Sequence, residues 1–157
     1  ERNLAGVINM KKLLLILFSL LLSFNVFSEE DLTKYELLGL KTVVAFKCAN
    51  IVTHHSPSDE IGEEWNRLFN YGMKSGTELL EAMRSGVITR DFMSKHVPWL
   101  FSLRISDSGG FFSNDFILGG LYEEMLGNVF DQVGEASVRD TNSRNMYLKN
   151  NCALVGN

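Results

Sequence analysis

The chain has 157 residues, is 45% hydrophobic and 22% charged, and carries a formal net charge of −4 with only two cysteines. That length is ample for one domain to bury a core without a metal or a dense disulfide framework. The acidic balance excludes a polyanion such as nucleic acid as the expected partner, since phosphate backbones reward basic clusters.

Met10-Lys11-Lys12 is followed by an apolar run over residues 13–22 and then by Ser23-Phe24-Asn25-Val26-Phe27-Ser28. A basic start, a short apolar core and a polar end with small residues form the pattern of a secretory signal peptide. Val26 and Ser28 suit the positions third and first before a cut, so cleavage after Ser28 is expected. Asn25 interrupts the run before it reaches the roughly twenty residues of a membrane span, so no stable anchor is expected after cleavage. Residues 1–9 read as an upstream mis-start, residues 10–28 as signal peptide and residues 29–157 as a single helical domain. Three of the basic residues and one acidic residue precede position 29, so the remainder carries −6.

Residues 31 to about 52 are apolar on more than one side, which predicts a central helix touched by several neighbours. Ser56-Pro57-Ser58-Asp59 is a helix-start signal, with a cap, proline in the first turn and an early acid. The following helix shows one stripe through Ile61, Trp65, Leu68, Phe69, Met73, Leu79, Leu80 and Met83, and Gly86 supplies its stop. Glu63 with Arg67, Lys74 with Glu78 and Glu81 with Arg84 have the spacing of solvated pairs. Thr89 caps a short helix from residue 90 to about 97, which Pro98 ends.

Phe101, Leu103 and Ile105 alternate with polar residues, and with no partner strand in sight residues 99–106 are expected to be coil. Residues 106–110 form a loop by composition. Ser113 or Asn114 opens a further long helix with Phe116, Ile117, Leu118, Leu121, Tyr122, Met125, Leu126, Val129, Phe130 and Val133 on its buried side, ended by Gly134. Residues 141–151 make a final helix carrying Met146, Tyr147 and Leu148 inward and delivering Cys152 to the first helix. The fold class expected is therefore all-α, an irregular bundle of four to five helices. One disulfide, Cys48 to Cys152, is the simplest use of two cysteines in an exported chain.

Chemistry-bearing residues are sparse. Gly72 and Gly76 lie on or beside the stripe, and each glycine inside a helix costs about 1 kcal/mol relative to alanine. Close helix packing explains them, and so does a ligand groove lined by Trp65, Phe69, Gly72, Gly76, Phe116 and Tyr122. Gly119, Gly120 and Gly127 raise the same question in the fourth helix. His54 and His55 stand near Asp59, Glu60 and Glu63, but adjacent histidines diverge and acids suit a helix start, so no metal is expected. No catalytic motif, catalytic residue or cofactor signature is present. Asn114-Asp115-Phe116 carries more capping groups than one helix start uses.

These features point to an exported, periplasmic or secreted protein that binds rather than catalyses, an inhibitor- or immunity-like module with an unknown protein as partner. A carrier or sensor of a small apolar ligand is the second reading. The third is a cell-wall hydrolase using paired carboxylates such as Glu64 and Glu123.

Overall fold

The computed structural model describes residues 29–54, 59–107 and 112–157. The expected signal peptide, its cleavage region, the capping residues 56–58, His55 and most of the 106–110 loop lie outside them. The chain divides into Glu1–Asp31 and Leu32–Asn157, and the tertiary description below concerns the second unit. Six helices occur among the described residues, with no strand: α1 (Glu29–Val52), α2 (Asp59–Arg84), α3 (Arg90–His96), α4 (Trp99–Asp107), α5 (Asn114–Val133) and α6 (Arg139–Lys149), followed by a 3₁₀ turn at Cys152–Leu154.

Helix α1 is the central element because two apolar clusters meet along it. Leu38 and Phe46 enter a cluster with Leu79 and Leu80 of α2, Phe92 and Met93 of α3, Phe101 of α4 and Ile117, Leu118 and Leu121 of α5. One turn later Cys48, Ala49, Ile51 and Val52 join Leu68, Val129, Val133 and Cys152 in the second cluster. Of its two buried polar side chains, Thr42 donates to the Leu38 carbonyl within the helix at 2.9 Å, and the Asn50 amide donates across to the Tyr122 carbonyl of α5 at 3.1 Å. Leu37, Leu40 and Val44 remain exposed on its far side.

The helix ends follow their local chemistry. The Thr89 hydroxyl accepts from the Phe92 amide and the Ser113 hydroxyl from the Phe116 amide, each satisfying a first-turn donor. Gly86 and Gly134 stop α2 and α5 with φ of +75°, a conformation that side-chain-bearing residues resist.

Helix α4 replaces the coil expected at residues 99–106. Leu100, Phe101 and Ile105 are the buried positions, while Leu103 and Trp99 face outward at 40% and 67% exposure. The alternation of Phe101, Leu103 and Ile105 is thus accidental, and the burial pattern is helical. Pro98 starts the helix, its carbonyl accepting from the Phe101 amide at 2.9 Å. The described residues accordingly form six helices instead of four or five.

Two further expectations are corrected at the bundle's edge. Phe116, Leu126 and Phe130 of α5 are exposed at 60%, 37% and 49%, so the buried side of that helix is narrower than its apolar content suggests. Leu148 of α6 points to solvent, whereas Met146 and Tyr147 pack on the second cluster.

The chain's tail is tied back twice. Cys48 and Cys152 are bonded, with Cα atoms 5.5 Å apart across 104 residues of sequence. Beside them, Arg67 of α2 forms a bidentate pair with Glu64 at 2.7 and 2.8 Å, and its guanidinium also donates to the carbonyls of Cys152 and Val155. The Tyr147 hydroxyl donates to the same Glu64 carboxylate.

Candidate functional site

Four of the six residues expected to line a groove converge, but around a filled centre. A Cβ on Gly72 would stand 2.6 Å from the Phe46 ring, and one on Gly76 would collide with Leu118. The missing side chains therefore admit neighbours from α1 and α5. Trp65 stacks on Phe69 with ring centroids 4.7 Å apart, and Tyr122 meets Phe69 and Phe46 edge-on at 5.1 and 5.6 Å. The Trp65 indole donates to the Tyr122 hydroxyl at 2.9 Å. Burial pushes the Tyr122 pKa up, partly offset by that hydrogen bond. Trp65, Phe69, Gly72 and Tyr122 thus form with Phe46 an aromatic junction of α1, α2 and α5, with Gly76 a turn further along α2.

Phe116 is elsewhere, on the outer side of α5. It stacks on Phe112 with centroids 4.3 Å apart, and both rings are exposed. They border an open depression of about 550 Å³ lined also by Arg104, Asp115, Ile117, Gly119, Gly120 and Glu123. A neighbouring depression of about 420 Å³ shares Arg104 and Glu123 and continues past Glu124, Gly127 and Asn128 to Asp131. Together they form a groove along the outer side of α5, floored in part by the bare backbone of Gly119 and Gly127.

The glycines here differ from Gly72 and Gly76. Among the described residues nothing stands within 4 Å of where a Cβ would sit on Gly119 or Gly127, and at Gly120 the Arg104 side chain comes as near as 3.6 Å. Among the described residues, helix packing accounts for neither Gly119 nor Gly127. At about 1 kcal/mol apiece they weaken α5 relative to alanine.

The groove's electrostatics are one-sided. Among the described residues that line both depressions, Arg104 is the cation, and it is paired with Glu124 at 2.8 Å. Asp115, Glu123 and Asp131 line the same surface. The Arg104 Nε is buried with no hydrogen-bond partner, held over Gly120. At the aromatic end, Arg84 of α2 donates to the Phe112 carbonyl and fixes the chain ahead of α5.

The carboxylates proposed for hydrolysis do different work. Glu64 accepts from Arg67 and from Tyr147, and the Arg67 hydrogen bonds hold its carboxyl below the usual range against the opposing effect of burial. An acid catalyst needs the opposite shift. Glu123 is exposed on α5. His54 packs near Phe130, with centroids 5.9 Å apart. Among the described residues no group of three or more His, Cys, Asp or Glu is placed to hold a metal ion, and no helix is long and apolar enough to cross a membrane.

The spacing of α2 charges left the polar clasp hidden: Arg67 pairs with Glu64 rather than Glu63, and Glu78 pairs with Lys34 of α1 at 2.6 Å. Phe112 and Arg104 were also hidden, because neither belongs to a recognisable motif. The unexplained glycines of α5 were the one signal of the groove in the sequence. No protein-family model matches this chain, and neither a curated protein nor a solved structure does.

Proposed function

We propose that this protein is exported by its N-terminal segment, oxidised outside the cytoplasm, and acts without catalysis by holding another protein against the outer side of α5. The observation that carries the reading is the exposed Phe112–Phe116 stack at the head of a groove in which Gly119 and Gly127 leave helix backbone bare. Stacked aromatics in a depression are the usual anchors of a protein interface. The basic, apolar and then polar order of residues 10–28 supports export. The Cys48–Cys152 bond agrees with an oxidising compartment.

A binding role also explains why residues that weaken the monomer sit on its surface. Gly119 and Gly127, against which no described residue packs, leave room for a backbone to approach closely. The test is affinity capture from the native compartment, using the oxidised protein and its Phe116→Asp variant side by side. A protein retained by the first and lost by the second supports the proposal. Equal retention, or no retained protein, contradicts it.

A further inference from the structure

We infer that the partner presents a cationic amphipathic α-helix, which lies along α5 on the row Phe116, Gly120, Glu123, Gly127 and Phe130. This inference rests on the docking role proposed above and gives its occupant a chemistry. The row advances by four, three, four and three residues. That alternation is the spacing of a seam on which a second helix packs side chains into holes. Here it faces outward, with Phe116 and Phe130 exposed at either end and glycines between them. Bare backbone at Gly127 lets an approaching helix come close, as small residues do at tight helix crossings, while at Gly120 it meets the Arg104 side chain that lies over the backbone.

Charge selects among the possible occupants. Asp115, Glu123 and Asp131 flank or interrupt the row, while Arg104 is already neutralised by Glu124 and Arg139 is confined to the Phe130 end, so the acids outnumber the cation left along it. A second copy docking through the same row in antiparallel fashion brings Glu123 against its own equivalent, and like charges across an interface are strongly unfavourable. An anionic lipid surface meets the same repulsion. A helix with apolar residues on one side and lysine or arginine along its margins satisfies both the aromatic ends and the acids. Arg139 stacked over Phe130 at 4.8 Å illustrates, within the chain, how that ring receives a cation.

The experiment is an NMR titration of the ¹⁵N-labelled oxidised protein with a synthetic helical peptide of leucine and lysine in heptad order. A matched peptide with glutamate in place of lysine is the control. The expected result is movement of the Gly119, Gly120 and Gly127 amide signals with the lysine peptide and none with the glutamate peptide. A Glu123→Gln, Asp131→Asn variant is expected to bind the lysine peptide at least about tenfold more weakly at low salt. Equal response to both peptides, movement confined to the Leu37, Leu40 and Val44 row of α1, or no movement overturns the inference. So does movement of the same glycine signals with protein concentration alone, which marks self-association. Capture that depends on Phe116 alongside a failed titration removes only the cationic helix. Loss of both removes the docking role as well.

Discussion

Arg67 on α2 donates through Nη2 to the carbonyl oxygen of Cys152 at 3.2 Å, so one guanidinium grips the residue that the disulfide also holds. The tail is therefore fixed by a covalent tie to α1 and a polar tie to α2. The two act differently. The disulfide restricts the unfolded chain, whereas the guanidinium satisfies carbonyls in the folded one.

Breaking the covalent tie should be the larger loss. Closing a loop of about one hundred residues is worth roughly 4 to 5 kcal/mol in the chain-entropy model. Urea unfolding of the Cys48→Ala, Cys152→Ala chain should show a fall of that order. A loss below about 1 kcal/mol would mean that the unfolded chain is already constrained near these positions.

Breaking the polar tie should loosen the tail while leaving the bundle folded. Arg67→Met keeps an aliphatic stem but removes the donors to Cys152 and Val155. The expected destabilisation is about 1 to 3 kcal/mol, the usual effect of stranding partly buried acceptors. Hydrogen exchange should quicken at the amides of Leu154 and Val155, whose bonds close the 3₁₀ turn. Unchanged exchange there assigns the tail to the disulfide alone.

The same cluster sets a pH dependence of defined sign. Glu64 is held below its ordinary pKa, foremost by hydrogen bonds from Arg67, so its contribution is complete above about pH 4.5 and is lost as the pH falls through the lowered value. Tyr147 is pushed up to about 12, first by burial and then by its hydrogen bond to Glu64. Its contribution is complete below about pH 10 and disappears as the pH rises through the raised value. Glu64→Gln should flatten the acid limb of stability against pH, and Tyr147→Phe the alkaline limb. Acid and alkaline limbs unchanged by both substitutions would show that other groups control them.

The glycines separate into two classes that alanine should reveal. Gly76→Ala drives a methyl into Leu118 and should destabilise by about 1 to 3 kcal/mol, as overpacking does. Gly119→Ala and Gly127→Ala meet nothing and should each stabilise by about 1 kcal/mol through helix propensity. Denaturant midpoints for the three variants decide the matter.

Much of the architecture was legible in the sequence because its signals are local. Thr89, Ser113, Gly86 and Gly134 act within one turn of chain, and α1 to α3 and α5 follow from them and from apolar spacing. The disulfide was legible because two cysteines leave one pairing. Helix α4 was not, since residues 99–106 satisfy two periodicities until Leu100, Phe101 and Ile105 find the core. The candidate site was half legible. Trp65, Phe69 and Tyr122 do converge, but only the position of Phe46 decides whether Gly72 leaves a hole. Phe116 resembles a core residue by type and spacing, and only tertiary packing places it outside.

The docking role is tested most directly by the Gly119→Ala, Gly127→Ala chain, measured for thermal stability and for partner capture together. A surface kept bare for an approaching helix predicts a chain that melts several degrees higher than the unmodified one and retains less of the captured protein. Higher stability with undiminished retention would contradict it.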